Sequence, residues 1–456
     1  DEKSSTVKSK LSLNENDIIF SSQYAPMIIA NMTPEEIDNA SKLSDVEEIG
    51  YYEEPEISEP SVDRDEGVSA KESMGLPKVY EKLGLSGKNV NVGLIEWQIP
   101  GLIDSDEQLE FDLDDITIVE NPNHIIPTPV NIVSELHKHP DNTCRILAGV
   151  KTGIAKDAKI YATDMQYANI ESLLESDIDV LEVNLSDLVY DRYHAKLDPN
   201  SIGDVTPDFD YSLNDKYFDH IISEHNISTV IAGGNYGDHE NDWYDENYSH
   251  EDGTRGYWIP GARITSPGMA YNAITVGGYA NNNTGDNPDD DWLINYGWKN
   301  KYENKIGCEK PDVIMSDNFP GGGTSSASPA LTAEIALMLE LKPSLSLHPQ
   351  EIKAIVLASC HRKVKQTDEQ GGQETMEQGI TERQGAGAPD AWTMASIISQ
   401  GTYGSGILKG TETNVDIVQP CYDAQKMNVS ITWIKENTAK VIEHSEDQER
   451  TKLILH

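Results

Sequence analysis

The chain has 456 residues, which is long for one domain and favours two or three structural units. Its 78 acidic residues outnumber its 35 basic ones, and the formal net charge of −43 would repel nucleic acid and anionic membrane surfaces. No apolar run reaches the roughly 18 residues of a membrane-spanning helix, so we expect no membrane insertion. The four cysteines share no metal-ligand spacing.

Residues 1–62 are predicted to form a small α+β unit. Residues 26–30 are typical of a short strand, and the Thr-Pro pair at 33–34 marks the start of a helix that runs to about residue 42. Residues 46–52 alternate like a half-buried strand, and an acidic linker interrupted by proline follows.

Apolar strands alternate with helices along residues 63–405. Continuous apolar strands are typical of a parallel sheet buried on both faces, so we predict an α/β fold with a mostly parallel sheet and helices on both faces. Residues 406–456 are predicted to be a β-rich extension, and polar insertions are expected at 190–214 and 236–258. The predicted strands are 90–95, one ending at 162, 179–186, 228–235 and 273–278; the predicted helices are 76–83, 139–149, 170–176, 215–225, 330–339 and 349–360.

A glycine-rich loop at 321–323 leads into Ser325 and a helix of small residues. Glycine allows a sharp turn and a close approach of the backbone to a ligand. Ser325 would lie at a helix N-terminus, where unpaired N–H groups and the helix dipole favour negative charge. Both an activated serine oxygen and an oxyanion would be stabilised there. The alternative is a glycine-rich loop with a Ser/Thr helix cap.

Three further polar side chains stand where such a site would need them. Glu96 closes the strand at 90–95, and Asn235 follows Gly233 and Gly234 after the strand that begins at 228. The carboxyl ends of parallel strands are where open α/β sheets place functional groups. His139 begins a helix and would supply a general base.

In combination and in this order, these blocks resemble the subtilisin-like serine protease family over about residues 75–400. Residues 323–329 (GTSSASP) resemble the nucleophile motif, 232–235 (AGGN) the oxyanion-hole block, and 184–186 (NLS) the strand that pairs with an extended substrate. Residues 266–278, 310–313 and 384–391 resemble structural blocks of the family.

The resemblance implies an endopeptidase that forms an acyl-enzyme on Ser325, with His139 as general base, Glu96 orienting it and Asn235 as an oxyanion donor. The chain order acid, histidine, serine is that of subtilisin-type enzymes.

Two blocks depart from the family pattern. The family has Asp where this chain has Glu96, and His-Gly-Thr where this chain has His-Pro-Asp at 139–141. Asp104 is an alternative acid, and His137 is an alternative base.

An extended peptide or protein substrate would pair with the edge formed by Ser186, Asp187 and Leu188. Gly233 and Gly234 would leave one wall of the primary pocket open.

The resemblance also implies that the N-terminal unit is a pro-domain acting as an intramolecular inhibitor, and that the protein is secreted or at the cell surface. No cofactor is required. Bound calcium is common in the family, but no run here fits a Ca²⁺ loop.

Two other functions stay open at this level. A pseudoprotease acting as a binding or regulatory module would explain Glu96, the His-Pro pair at 139–140 and the N-terminal unit. A cation-binding protein is suggested by the acidic run at 286–291.

Overall fold

The computed structural model describes residues 17–44, 46, 49, 67–97, 99–100, 116–121, 138–184, 211–235, 243–244, 258–259, 264–281, 292–293, 310–360, 364, 366–367, 373–374 and 384–404. The strands are β1 (Ile18–Ser21), β2 (Ile28–Ala30), β3 (Asn91–Glu96), β4 (Ile116–Ile118), β5 (Lys159–Asp164), β6 (Val180–Val183), β7 (Ser228–Ala232), β8 (Trp243–Tyr244), β9 (Trp258–Ile259), β10 (Ile274–Ala280), β11 (Trp292–Leu293), β12 (Val313–Ser316), β13 (Gln366–Thr367) and β14 (Gln373–Glu374). The helices are α1 (Pro34–Ala40), α2 (Val68–Ser73), α3 (Leu76–Leu83), α4 (Lys138–Ala148), α5 (Tyr167–Leu174), α6 (Leu213–His225), α7 (Thr324–Leu341), α8 (Pro349–Ser359) and α9 (Ala391–Gln400), with a 3₁₀ turn at Pro343–Leu345.

A central eight-stranded sheet organises the fold. Its order is β11-β10-β7-β6-β3-β5-β4, and β12 also pairs with β10. Every pair is parallel except β10 with β11. This arrangement confirms the predicted mostly parallel α/β sheet.

Successive side chains of each strand enter opposite cores, as the period of two requires. Leu94 and Val230 belong to the core formed with α3, α4, α7, α8 and α9. Ile95 and Ile231 belong to the core formed with α5 and α6. Helices therefore cover both faces of the sheet, which explains why its strands are apolar without alternation.

Helix α7 is buried along almost its whole length and is fixed at its C-terminal end by Glu340. One carboxylate oxygen of Glu340 accepts hydrogen bonds from the backbone N–H groups of Ser86, Gly87 and Lys88, at 2.7, 2.7 and 3.2 Å. These three residues lead into β3. The C-terminal end of α7 is thereby tied to the N-terminal end of that strand.

The N-terminal segment at 17–44 forms a two-stranded antiparallel sheet of β1 and β2, followed by α1. It lies against α5 and α6. Glu171 on α5 accepts hydrogen bonds from the Ser22 hydroxyl and from the backbone N–H of Gln23. Two aromatic contacts accompany them: Phe20 with Tyr167 at 5.4 Å and Tyr24 with His225 at 4.5 Å between ring centroids.

The described part of this segment departs from the predicted strand–helix–strand order. It begins with β1, which no sequence pattern predicts, and β1 pairs with β2 before α1 starts. The predicted strand at 46–52 lies almost entirely outside the described residues, as do the predicted extension at 406–456 and most of the two insertions. Within the second insertion, the described strands β8 and β9 pair antiparallel.

Candidate active site

The polar groups singled out in the sequence meet at the carboxyl edge of three adjacent strands. Glu96 ends β3, Asn184 follows β6, and Asn235 follows β7. The N-terminal end of α7, which carries Ser325, reaches the same edge through hydrogen bonds to Asn184 and Asn235. In parallel α/β sheets this edge is the usual place for a functional site.

Glu96 and His139 form a buried hydrogen-bonded pair. The His139 Nδ1 atom lies 2.9 Å from the Glu96 Oε2 atom, and the two side chains are 14% and 0% exposed. A carboxylate accepts, so Nδ1 carries the proton and Nε2 remains as the acceptor that a general base requires. The Glu96 side chain therefore reaches the histidine from the end of β3.

The second carboxylate oxygen of Glu96 accepts from two other side chains. The Thr143 hydroxyl donates to Oε1 at 2.6 Å, and the Asn184 amide donates to the same atom at 3.1 Å. Thr143 lies one helical turn after His139 on α4, so both residues point to the same carboxylate. Together with His139, these donors compensate for removing a charged group from water.

Ser325 is half-buried in the first turn of α7, directly after a run of glycines with positive φ. Gly323 precedes the helix with φ 69°, and a Cβ atom there would lie 2.7 Å from the Asn235 Oδ1 atom. Only glycine allows this close approach of the helix start to Asn235. The backbone carbonyl of Ser325 accepts from the Asn184 amide at 3.0 Å.

The Asn235 side chain is held in one orientation by Thr324. Its Oδ1 atom accepts from the Thr324 backbone N–H at 2.8 Å and from the Thr324 hydroxyl at 2.9 Å. The hydroxyl oxygen of Thr324 in turn accepts from the Gly234 backbone N–H at 3.1 Å. Since Oδ1 takes both donors, the amide presents Nδ2 as its donating side.

A second buried carboxyl group lies close to this pair. Glu182 on β6 accepts from the hydroxyls of Ser328 and Thr332 on α7. Burial raises the pKa of Glu182 to about 8, and the charge of Glu96 adds to the effect. Burial and the neighbouring charge of Glu96 therefore both favour the neutral form of Glu182.

The structure brings together six of the predicted site residues: Glu96, His139, Gly233, Gly234, Asn235 and Ser325. The predicted substrate edge at Ser186, Asp187 and Leu188 lies outside the described residues, and so do the alternative residues His137 and Asp104.

Three supporting residues were not predicted from the sequence: Thr143, Thr324 and, in its contact with Glu96, Asn184. A threonine four residues after the histidine is the one pattern that points to Thr143.

Within the described ranges, no three His, Cys, Asp or Glu side chains are grouped so that they could hold a metal ion. The same part of the chain contains no helix that is long and apolar enough to cross a membrane.

The family model described as the subtilase family matches residues 87–387. A search of curated proteins gave no match. Similar solved structures include the CspB protease of Clostridium perfringens, with 13% identity, coverage of 72% of this chain and 99% of that chain, and a TM-score of 0.48. The prenylagaramide maturation protease PagA has 15% identity, coverage of 71% and 98%, and a TM-score of 0.42. A cold-adapted subtilisin-like serine proteinase has 13% identity, coverage of 63% and 88%, and a TM-score of 0.38.

Proposed function

Because the chain belongs to the subtilase family of subtilisin-like serine peptidases, we propose that it is an endopeptidase that hydrolyses peptide bonds through an acyl-enzyme on Ser325. The observation that carries the proposal is the chain of hydrogen bonds from His139 through Glu96 and Asn184 to the backbone of Ser325. An acid, a base and a serine at a helix start are what acyl transfer needs.

In the proposed reaction, the Ser325 hydroxyl oxygen attacks the carbonyl carbon of the scissile bond while His139 Nε2 accepts its proton. The imidazolium is stabilised by Glu96 and then gives the proton to the leaving amine. Water enters, His139 again acts as the base, and hydrolysis of the acyl-enzyme restores the serine. No metal or cofactor takes part in these steps.

The negative charge that develops on the carbonyl oxygen requires donors. We assign this role to the Asn235 Nδ2 group and the Ser325 backbone N–H, at the positive end of the α7 dipole. The orientation that Thr324 imposes on the Asn235 amide supports this assignment, because it turns the donor side of the amide away from Thr324.

Labelling with a fluorophosphonate probe tests the proposal, because the probe reacts with activated serines. We expect the protein to take up the probe and Ser325→Ala to lose all uptake. Ser326→Ala is the matched control: its hydroxyl donates to the Pro320 carbonyl, and we expect labelling to persist. Absence of labelling in the unmodified protein, before and after removal of the N-terminal segment, would contradict the enzyme and favour a pseudoprotease.

We also propose that the N-terminal segment acts as an intramolecular inhibitor. It would block the site that binds a peptide or protein substrate. Its contacts with Glu171, Tyr167 and His225 on α5 and α6 support docking on the catalytic domain.

Members of the family are commonly exported, which supports a secreted or cell-surface location. A melting curve with and without a chelator tests whether calcium adds stability.

A further inference from the structure

The carbonyl group of Ser325 lacks the partner that an α-helix normally gives it. In a regular helix it would accept from the N–H of the residue four positions later, which here is Pro329. Proline has no N–H, so the first turn of α7 contains an acceptor that the helix itself cannot satisfy. The missing donor is supplied from another part of the fold, by the Asn184 amide at 3.0 Å.

The same amide contacts two other elements of the site. Asn184 Nδ2 lies 3.1 Å from Glu96 Oε1 on β3 and 2.8 Å from the Thr143 hydroxyl oxygen on α4. Its side chain is buried, with 3% of its surface exposed. The –NH₂ group of Asn184 therefore faces three acceptors. One lies on β3, which carries Glu96, one on α4, which carries His139, and one on α7, which carries Ser325.

The other side of this amide argues against a purely structural role. Among the described residues, no donor pairs with the Asn184 Oδ1 atom, although this atom is buried. An unpaired buried acceptor lowers stability, and leucine, which has a similar size, would avoid that cost. What asparagine provides here and leucine cannot is the donating side of the amide.

We propose that Asn184 is a positioning residue of the reaction, which links the backbone of the serine to the carboxylate that orients the histidine. The role of Asn184 in catalysis rests on the function proposed above. Its effect on Glu96 and His139 can be measured without catalytic turnover.

Two separate effects follow from the two bonds. Without the bond to the Ser325 carbonyl, the first turn of α7 loses one of the hydrogen bonds that position it, so probe labelling slows. Without the bond to Glu96, the carboxylate charge is less stabilised and holds the imidazolium proton more strongly, so the His139 ring titrates at higher pH. Among the described residues, Glu182 on β6 interacts electrostatically with both members of the pair, and Cys144 on α4 interacts with Glu96. Asp141, also on α4, interacts with Cys144.

The experiment compares Asn184→Leu, Pro329→Ala and the double variant in the full chain. Two quantities are measured: the labelling rate with the fluorophosphonate probe at pH 7, and the midpoint of the His139 ring resonances in an NMR pH titration. Asn184→Leu should slow labelling by about 3- to 10-fold, the size of one neutral hydrogen bond. It should also raise the midpoint by about half a pH unit or more.

Pro329→Ala separates the two bonds, because residue 329 then has an N–H that can donate to the Ser325 carbonyl. In the double variant, labelling should recover by about threefold or more over Asn184→Leu, while the midpoint stays raised. Asn272→Leu is the matched control: it also removes a buried asparagine, which donates to the Asp219 carbonyl, and should change neither quantity.

Each outcome decides between the two proposals. If the parent protein fails to label before and after removal of the N-terminal segment, but the midpoint rises in Asn184→Leu, the positioning contact stands and the peptidase proposal fails. If the parent labels and Asn184→Leu changes neither quantity, the inference about Asn184 is wrong and the peptidase stands. Equal changes in Asn272→Leu would also overturn it. Should Asn184→Leu not fold, Asn184→Ala also lacks the amide donor, carries no charge and should raise the midpoint.

Discussion

At the scale of single residues, the orientation of one amide determines where the proposed oxyanion donor lies. Asn235 could present either its oxygen or its nitrogen to a substrate, and the two choices have opposite chemical effects. Thr324 decides between them, because its N–H and its hydroxyl both donate to the Asn235 oxygen. Thr324 thus fixes which side of the Asn235 amide faces the proposed substrate site.

This arrangement predicts graded losses of activity. Asn235→Ala should lower kcat for a peptide substrate by about 10²–10³ with little change in KM, since the donor acts on the transition state. Thr324→Val keeps the backbone donor, loses the hydroxyl and should lower kcat by about tenfold, the value of one neutral hydrogen bond. The steady-state kinetics of both variants provide the measurement. A normal kcat for Asn235→Ala would show that the oxyanion is bound elsewhere.

The sequence predicted the candidate site residues but not the side chains that contact them. Glu96, His139, Asn235 and Ser325 stand in short blocks whose order carries the information. Thr143 and Asn184 contact Glu96 across 47 and 88 positions of the chain, and Asn184 reaches Ser325 across 141. Such contacts arise only when the strands are aligned, so no local pattern contains them.

At the scale of elements, α7 carries an uncompensated polar group in an otherwise apolar environment. Both carboxyl oxygens of Glu334 are buried without a hydrogen-bond partner among the described residues. Burial raises the pKa of Glu334 well above its usual value of 4.5, and the charge of Asp390 adds to this effect. The folded protein therefore keeps a proton that the unfolded chain releases above about pH 4.5.

Glu334 should make the protein less stable as pH rises. Above pH 4.5 the unfolded state binds fewer protons, so the contribution of Glu334 to the free energy of unfolding falls as pH rises. The slope is about 1.4 kcal/mol per pH unit while the folded group stays neutral. Glu334→Met should raise the melting temperature, and the gain should be larger at pH 8 than at pH 5.

Glu334→Gln separates the titration from the buried polar group. It cannot ionise in either state, so its stability relative to the parent protein should also improve with pH, although its amide stays buried. Thermal unfolding of the three proteins between pH 5 and pH 8 is the measurement. Parallel curves for all three would show that Glu334 does not hold a proton in the folded state.

Element prediction succeeded where burial leaves a strong signal. Strands β3, β7 and β10 are continuous apolar runs because both of their faces are covered. Strand β4 has only three residues, and no sequence pattern predicts β1, the partner of β2. Helix α9 begins inside a block that resembles the family's structural motifs, whose pattern does not extend to residue 400.

At the scale of the whole molecule, the N-terminal segment and the α/β domain share an interface centred on one carboxylate. Glu171 accepts from the Ser22 hydroxyl and the Gln23 backbone N–H, and it is one of the buried polar side chains of the protein. Burial raises the pKa of Glu171, against the opposing effect of these donors. Removing this acceptor would leave donors of the segment unpaired.

Glu171→Ala should therefore loosen the segment. Hydrogen exchange at the Gln23 amide should accelerate by about tenfold or more, because its acceptor is gone. If the segment inhibits the site, probe labelling of the full chain should rise as well. Glu224→Ala, an exposed glutamate near the end of α6, is the control and should change neither quantity. Faster exchange with unchanged labelling would show that the segment docks on the domain without inhibiting the site.

The contact at Glu340 has a consequence for how this chain tolerates changes of length. Helix α7 has 18 residues, and about 22 Å along its axis separate Ser325 near its start from Glu340 near its end. Glu340 binds the backbone that leads into β3, and Glu96 lies at the other end of that strand. Ser325 is therefore connected to Glu96 through α7, Glu340 and β3, in addition to the hydrogen bonds within the site. A one-residue insertion in α7 would rotate one end by about 100° relative to the other. Evolution and engineering can therefore vary the loops of this protein in length far more readily than this helix.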